Sequence, residues 1–322
     1  MRKQKYLYLL LAALFVILLF LPTIVKNTYS RLLFDQTLIN IIVVLGLNFI
    51  TGLTGQMNLG TAGIFGLGAY TSALLTTQLH VSPWLSLIAA ILMGYLIGII
   101  LGYPSLRLKG IYLALTTMGF GEIVRLLLTN MASVTQGTQG VMNIPGYRLF
   151  SIAIKDEKSF YYFLLIITIV MTAISIKIIN SKWGRALKAI RDNDQAVESC
   201  GINMAEIKIK AFILCTIYGC IAGALYASLM GYINPADFTF DLTVKYLMML
   251  MLGGIGSVPG NIMGAFIVTL LPEGLRFLQD YYWMIFSGIL LIVVILLPNG
   301  IISIFEGLFR SKNREISKNR EI

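Results

Sequence analysis

The sequence is short of charged residues. Asp, Glu, Lys and Arg make up 12% of its 322 residues, whereas hydrophobic residues make up 57%. A soluble domain carries about 25% charged residues, so this composition excludes a chain built from soluble domains. Apolar runs long enough to cross about 30 Å of hydrocarbon recur along almost the whole length. The composition therefore predicts a single all-α polytopic membrane domain over residues 1–322.

Residue types that carry catalysis are also scarce. Histidine occurs once, at His80, and no group of Cys, His and carboxylate residues has the spacing of a metal site. The Gly-x-x-x-x-Gly-Lys-[Ser/Thr] loop that binds ATP phosphates is absent, and so is the Gly-x-Ser-x-Gly elbow of a serine hydrolase. These absences predict no catalytic residue, no metal and no cofactor, and they disfavour an intramembrane enzyme. The cysteines are predicted to be free thiols: Cys200, Cys215 and Cys220.

The hydrophobic runs predict ten membrane crossings. They lie at about residues 6–25, 38–52, 61–78, 84–103, 110–128, 159–180, 206–229, 242–253, 260–278 and 282–298. Most of the 25 basic residues then fall on the same side as the N-terminus. Cytoplasmic segments are enriched in Lys and Arg, so both termini, including a basic tail at about 307–322, are predicted to be cytoplasmic in a cell-membrane protein. This topology explains the net charge of +10, which does not indicate nucleic-acid binding.

A first interruption of the apolar pattern runs from Thr51 to Leu75. It follows a short apolar run and holds six glycines: Gly52, Gly55, Gly60, Gly63, Gly66 and Gly68. Non-helical backbone at membrane depth persists only where it is packed in protein or lines a water-filled cavity. The polar residues favour a translocation pathway. The pathway candidates are Thr54, Gln56, Asn58 and Thr61. The alternative for the glycines after Ala62 is close helix packing through small-residue pairs such as Gly68 and Ser72.

A second interruption runs from Leu247 to Arg276. A short apolar run there meets a cluster of glycines with Ser257, Pro259 and Asn261, and then resumes as a helix. Interrupted segments in the two halves of a membrane protein are typical of transporters built from internal repeats, with the substrate path between them. Ser257 and Asn261 are therefore further candidates for the pathway.

Charge also occurs within a predicted span. Glu122 and Arg125 lie three residues apart on one face of the helix at 110–128. At about 1.5 Å per residue, Glu122 lies roughly 18 Å into the bilayer, where a charge costs about 2.5–3.5 kcal/mol and should face a partner or water. It is a pathway candidate, and the alternative is an ion pair that only positions helices. Three basic residues are predicted to lie near the outer face: Arg125, Lys245 and Arg276. They could form a basic docking collar for an external partner, or their side chains could simply extend to the lipid headgroups.

One long charged stretch separates two crossings, from Ser181 to Asn203. Four apolar side chains there fall near one side of a helix, and Gly201 suits a helix end. The four are Trp183, Leu187, Ile190 and Val197. The pattern predicts a cytoplasmic amphipathic segment at about 181–203. A helix that rests on anionic lipid carries few acidic residues, so the acidic residues between Asp192 and Glu198 favour a protein docking surface over a lipid surface.

Six stretches of the sequence together resemble one family. They are TGLTGQMNLGTAGIFGLGAYTSALL, LTTMGFGEIVRLLLTN, GTQGVMNIPGY, WGRALKAIRDNDQAVESCGIN, GALYASLMGYINPADFTF and LMLGGIGSVPGNIMGAFIVTLLPEGLR. Their order and spacing are similar to those of the permease subunit of branched-chain amino-acid ABC importers, over roughly residues 35–298. The long charged stretch and the Gly-Phe-Gly-Glu segment resemble the Liv M-type subunit rather than its shorter H-type partner.

The resemblance implies a division of labour. A second homologous permease forms the pore with this chain, two cytoplasmic ATPases drive alternating access, and an extracytoplasmic binding protein delivers substrate. ATP hydrolysis then belongs to the partners, and this chain is not an enzyme. The segment at 181–203 becomes the ATPase-coupling segment, with the implied residues Arg185, Ala189, Arg191, Gln195, Ala196 and Gly201. In ABC importers this loop resembles Glu-Ala-Ala followed by Gly, and Gln195 and Val197 depart from that pattern.

The resemblance also implies a substrate and an architecture. The substrates would be leucine, isoleucine and valine, and the fold would resemble the ten-helix importers for cobalamin and simple sugars. A path of small neutral polar groups and apolar side chains also suits urea or a short amide. An ion-coupled secondary transporter, in which Glu122 carries the coupling proton, is the alternative from another class. Membrane lipid is an expected partner, and nucleic acid is not.

Overall fold

The computed structural model describes residues 27–149, 152–153, 157–274, 288, 291, 295 and 300–301. The elements up to residue 153 are α1 (Thr28–Leu47), a π-helical segment (Asn48–Thr54), α2 (Thr61–Thr77), α3 (Pro83–Ser105), α4 (Ile111–Asn130), α5 (Ala132–Thr135), a 3₁₀ turn (Gly137–Gln139), β1 (Arg148–Leu149) and β2 (Ile152–Ala153). The later elements are α6 (Glu157–Asn180), α7 (Lys182–Asp192), α8 (Asp194–Ser199), α9 (Met204–Met230), a second 3₁₀ turn (Pro235–Phe238), α10 (Phe240–Gly253) and α11 (Val258–Gly274). The two strands pair as a short antiparallel hairpin.

Within the described ranges, five helices are long and apolar enough to cross a membrane. They are α1 with the π segment, α3, α4, α6 and α9. The chain is therefore a polytopic all-α membrane protein. From residue 61 to the start of α11, the described helix ends agree with the predicted crossings within two residues, and the predicted end at residue 278 lies outside the described residues. The predicted crossing at 6–25, and nearly all of that at 282–298, lie outside the described residues.

The predicted start of the crossing at residue 38 is wrong. α1 begins at Thr28, and the Asn27 side chain caps its first turn. Thr37 lies inside this helix, where its Oγ1 donates a hydrogen bond to the Leu33 carbonyl at 2.7 Å. A hydroxyl that bonds the preceding turn can be buried in a helix. Polar sequence before residue 38 therefore did not mark a loop.

α1 is the central helix of the described bundle. In the most apolar window of α1 and the π segment 94% of the residues are buried, against 39% for α3 and 28% for α4. α9 packs against α1, α2 and α3, and α11 packs against α1 and α10. A helix that is apolar on all sides belongs at the centre of a bundle. α4 leaves most of its surface uncovered by the described residues, which matters for the site below.

Glycines allow α3 and α9 to approach closely. Gly94, Gly98 and Gly102 follow one another at one-turn intervals on α3, and a Cβ at Gly94 would lie 2.8 Å from the Cα of Ile217. The Thr216 hydroxyl donates to the Gly94 carbonyl at 2.6 Å. Close packing and interhelical hydrogen bonds drive helix association in lipid, so this stripe holds the two helices together.

The glycines that follow Ala62 also pack against other helices. A Cβ at Gly63 would lie 2.7 Å from the Cα of Gly121 on α4, and a Cβ at Gly68 would overlap the backbone of Cys220 on α9. Small residues at helix crossings let backbones come this close. The packing interpretation of these two glycines is confirmed.

Two hydrogen bonds mark the two ends of the bundle. At one end, called here the α7 end, the Arg191 guanidinium donates to the Gly52 carbonyl at 2.9 Å. At the opposite end, the Tyr29 hydroxyl donates to the Glu273 carboxylate at 2.8 Å and joins the start of α1 to the last turn of α11. The π segment therefore lies at the α7 end, one bundle length away from Tyr29.

Candidate functional site

The two glycine-rich interruptions of the sequence meet at the α7 end. The Asn48 Oδ1 atom, in the π segment, accepts a hydrogen bond from the Gly256 N–H at 2.9 Å. A Cβ at Gly52 would lie 3.1 Å from the same nitrogen, so the two backbones are in contact. The π segment ends at Thr54, and the next residue, Gly55, has a φ of +69° that suits glycine. Irregular backbone is thus packed against irregular backbone, as membrane depth requires.

Two predicted pathway residues satisfy their polar atoms inside the fold. The Thr54 hydroxyl donates to the Ile50 carbonyl at 2.7 Å. Asn58 is fully buried: its Oδ1 accepts from the Gly60 N–H at 3.0 Å, and its Nδ2 donates to the Cys215 Sγ on α9 at 3.7 Å. In this structure Asn58 orders the link between the π segment and α2 and is closed off from solvent.

Other buried polar atoms of the interrupted segments have no hydrogen-bond partner in the part of the chain that is described. They are Asn48 Nδ2, Thr51 Oγ1, Gln56 Oε1, Thr61 Oγ1 and both amide atoms of Asn261. An unsatisfied buried polar group costs about 1–3 kcal/mol. Buried water commonly satisfies such groups. Their location is consistent with water reaching the interrupted segments.

The two pathway candidates at the start of α11 differ in their surroundings. The Ser257 Oγ accepts a hydrogen bond from the Gly260 N–H at 3.3 Å and so caps the helix. Asn261 is fully buried, with neither amide atom paired among the described residues. Asn261 therefore keeps polar atoms available for water or a bound molecule, whereas Ser257 uses its hydroxyl for the cap.

A cavity of about 100 Å³ lies between α2, α4 and α10, and Glu122 lines it. Two threonines hold the N-terminus of α2 beside this cavity: Thr117 accepts from the Leu59 N–H at 2.9 Å, and Thr243 accepts from the Ala62 N–H at 3.0 Å. Neither threonine is among the residues predicted from the sequence to line the pathway. Each is a polar residue within an apolar helix, and this pattern is the sequence feature that could have identified them.

Glu122 and Arg125 form an ion pair on the exposed face of α4. Arg125 Nε donates to both carboxylate oxygens, at 3.1 and 3.0 Å, and Nη2 also donates to Oε1. The Glu122 and Arg125 side chains are 47% and 28% exposed, so the described residues do not cover the pair. Charges near the bilayer centre are costly against lipid. This face of α4 is therefore expected to meet protein or water.

The predicted basic collar of Arg125, Lys245 and Arg276 stays a prediction. The half-buried Lys245 side chain lines a cavity between α1, α2, α9 and α10. Arg125 is already paired with Glu122. Arg276 lies outside the described residues.

α7 is amphipathic, as its sequence predicted. Leu187, Ile190 and Val197 of the coupling segment turn into the bundle and are 2%, 4% and 5% exposed. Trp183, one turn before Leu187 on the same side of α7, is less buried, with 42% of its surface exposed. Its ring lies 4.2 Å from the Lys210 ammonium on α9, in a cation–π contact.

Arg191 joins α7 to the π segment. Its Nη1 donates to the Gly52 carbonyl at 2.9 Å, and its stem passes Gly55, where a Cβ would lie 3.2 Å from Arg191 Cγ. A hydrogen bond from a charged donor contributes about 1.5–3 kcal/mol. A residue predicted to contact an ATPase therefore also holds α7 against the interrupted segment.

The remaining predicted coupling residues occupy the rest of the segment. Arg185 is exposed and Ala189 is half-buried. Gly201 is exposed, and its φ of +73° is the left-handed conformation that favours glycine at a helix end. For Gln195 and Ala196 only the backbone is described, within α8.

Comparison with known proteins identifies the family. Residues 31–295 match the family described as "Branched-chain amino acid transport system / permease component". The chain belongs to this permease family. The permease is 33% identical over 334 residues to the high-affinity branched-chain amino acid transport system permease protein LivM of Escherichia coli, which covers 97% of this chain and 78% of that protein.

Other relatives of the chain carry different names. The permease is 25% identical over 285 residues to the high-affinity branched-chain amino acid transport system permease protein LivH of Salmonella typhimurium, covering 81% of this chain and 90% of that protein. It is 26% identical over 307 residues to the autoinducer 2 import system permease protein LsrC of Yersinia pseudotuberculosis, covering 90% and 83%. No solved structure is matched. The family consists of transport permeases and not of enzymes.

Proposed function

We propose that the permease is the membrane-spanning subunit of an ATP-driven importer that moves leucine, isoleucine and valine into the cell. The observation that carries this proposal is the 33% identity to LivM along 97% of the chain. Similarity to LivH as well supports a pore formed with a second, related permease. Two cytoplasmic ATPases hydrolyse the ATP, and an extracytoplasmic binding protein delivers the substrate.

The proposed topology has ten crossings in the cell membrane, with both termini in the cytoplasm. Five of these crossings coincide with described helices that are long and apolar enough to span a membrane. The other five belong to the sequence prediction, at 6–25, 61–78, 242–253, 260–278 and 282–298. The α7 end then faces the cytoplasm, which agrees with the basic residues on α7 and the positive-inside rule.

The proposed pathway follows the exposed face of α4 toward the α7 end. The uncovered Glu122–Arg125 pair supports it, because a charged pair at this depth needs water or a protein partner. The unpartnered buried atoms of Gln56, Thr61 and Asn261 support its continuation along the interrupted segments. A second permease that covers α4 would enclose the pair in a shared crevice.

The proposed coupling route starts at α7. Exposed residues such as Arg185 meet the ATPase, while Arg191 on the same helix holds the π segment through Gly52. The π segment in turn contacts the turn at Gly256. Movement of α7 with the ATPase would therefore be passed to both interrupted segments.

Reconstitution tests the proposal. Proteoliposomes that contain this chain with its copurifying permease, ATPases and binding protein should accumulate leucine with ATP, and omission of any component should abolish uptake. Uptake by this chain alone, driven by a sodium or proton gradient and abolished by Glu122→Gln, would contradict the proposal and favour a secondary transporter. ATP-driven uptake of urea or a short amide, without leucine uptake, would contradict the proposed branched-chain amino-acid substrate.

Thiol labelling tests whether water reaches the interrupted segments. In a Cys200→Ser background, which removes the exposed native thiol, Gln56→Cys and Asn58→Cys are expected to react with a soluble thiol reagent during ATP turnover. Ala222→Cys, at a fully buried position on α9, is the control and should not react. Failure of both introduced thiols to react in every nucleotide state would exclude the pathway at these residues.

A further inference from the structure

A second polar cavity lies in the half of the permease away from α7. It occupies about 110 Å³ between α1, α2, α9 and α10, beside the 3₁₀ turn Pro235–Phe238. Two side chains of opposite charge line it, Asp237 in the turn and Lys245 on α10. At about 1.5 Å per residue, Lys245 lies about 8 Å along α10 from Phe240, within the span.

Lys245 is not neutralised by the described part of the chain. Its ammonium has no ion pair or hydrogen bond there, so Asp237 in the same cavity lies beyond the 4.0 Å limit of an ion pair. Asp237 is held in place by a capping box, in which its Oδ2 accepts from the Asn234 N–H at 3.0 Å. A half-buried ammonium needs an anionic partner or water. Opposite charges held apart across one cavity match a ligand that carries both charges.

Two amides add neutral hydrogen-bonding groups to the same cavity. Gln36 and Asn40 lie one turn apart on α1 and both line it. Asn40 Nδ2 donates to the Thr269 hydroxyl at 3.0 Å, which orients the amide and leaves its Oδ1 to accept another bond. Such groups can pair with the ammonium or the carboxylate of a small ligand.

The rest of the wall is apolar. The Phe65 ring centroid lies 5.2 Å from that of Tyr226 and 5.9 Å from that of Tyr246, and these three residues line the cavity with Leu242. Aromatic faces of this kind pack well against an aliphatic side chain. Ligand sites for drug-sized molecules are about 300–1,000 Å³, so this smaller cavity selects a compact ligand.

We propose that this cavity binds an α-amino acid with an aliphatic side chain. The ligand carboxylate pairs with Lys245, its ammonium pairs with Asp237, and its side chain packs against Phe65 and Leu242. The choice of an aliphatic amino acid rests on the proposed function, whereas the requirement for a zwitterion rests on the two charges. The permease then has a selectivity site of its own, in addition to the external binding protein.

Equilibrium binding of radiolabelled L-leucine tests this site. The assembled transporter, in nanodiscs without the binding protein, is expected to bind leucine saturably. 4-Methylpentanoate, which lacks the ammonium, and 3-methylbutylamine, which lacks the carboxylate, should compete at least tenfold more weakly than leucine. Lys245→Met and Asp237→Asn should each weaken leucine binding at least tenfold, and Lys245→Arg should retain part of it. Lys158→Met, at an exposed position at the start of α6, is the matched control and should bind normally.

Three results would overturn the inference. The first is unchanged leucine binding in the Lys245→Met and Asp237→Asn variants, provided that their size-exclusion elution and thermal unfolding match those of the wild type. Equal competition by 4-methylpentanoate, with no effect of Asp237→Asn, would show an anion site. ATP-driven leucine uptake by the complete transporter, without leucine binding in the absence of the binding protein, refutes this site and leaves the proposed function standing. Absence of that uptake refutes the proposed function instead, so the two failures can be distinguished.

Discussion

The Gly223→Val variant is expected to be strongly destabilised, because α9 crosses α2 at this residue. A Cβ on Gly223 would overlap the Phe65 carbonyl oxygen and lie 2.8 Å from the Ala69 nitrogen. Both are backbone atoms, so no change of rotamer relieves the clash, and the two helices must move apart. Overpacking a close-packed interior costs about 1–3 kcal/mol, and separation of backbones lies at or beyond the upper end.

Thermal unfolding in detergent, followed by fluorescence-detected size exclusion, measures this loss. A cost of about 3 kcal/mol corresponds to a midpoint lowered by about 4–5 °C in a chain of this size. Gly119→Val on α4 is the control, because a Cβ there meets nothing within 4 Å. Both variants are compared as the separate chain, since α4 is proposed to meet a second permease. Equal midpoints for Gly223→Val and the wild type would contradict the described crossing of α2 and α9.

The sequence predicted helix positions well where apolar runs end at polar or glycine residues. It failed at the start of α1, because Thr37 is polar and yet lies in a buried helix. Its hydroxyl bonds the Leu33 carbonyl, and the surrounding helices cover it. Hydropathy measures the preference of a side chain for lipid. It does not register a polar group whose hydrogen bond is made within the helix bundle itself.

The helix-packing glycines show a different limit. The packing prediction covers Gly63 and Gly68 among the glycines that follow Ala62. It does not cover the stripe of Gly94, Gly98 and Gly102, although the spacing of that stripe is the same kind of signal. The spacing identifies a face that can pack closely. It does not identify the partner, and α9 lies more than a hundred residues further along the chain.

The candidate site was predictable in location and less so in its contacts. Gln56 and Asn58 were picked out because lipid disfavours such residues, and both belong to the interrupted segment that meets Gly256. The actual partner of the Asn58 amide, Cys215, comes from a distant helix, and the partner of Arg191 is a backbone carbonyl with no signature in the sequence. Contacts of this kind follow from the tertiary arrangement alone.

The Arg191→Ala variant is expected to assemble with its partners and to lose leucine uptake. Its guanidinium donates the hydrogen bond that joins α7 to the Gly52 carbonyl of the π segment. A hydrogen bond from a charged donor contributes about 1.5–3 kcal/mol. At about 1.4 kcal/mol for each factor of ten, loss of this link should lower ATP-driven uptake about 10- to 100-fold. ATP hydrolysis should continue, because α7 still presents its outward residues to the ATPase.

Arg185→Ala on the same helix provides the matched comparison. Both arginines are exposed, but the Arg191 guanidinium is bound to the Gly52 carbonyl, whereas Arg185 has no hydrogen bond or ion pair within the described residues. Loss of Arg185 should therefore weaken copurification of the ATPases, and Arg191→Ala should leave it unchanged. The two arginines lie on one helix and carry the same charge, so a difference between them cannot come from helix propensity or net charge. Wild-type uptake in Arg191→Ala would show that the contact with Gly52 does not transmit the movement of α7. Loss of the ATPases in Arg191→Ala would assign this arginine to docking instead.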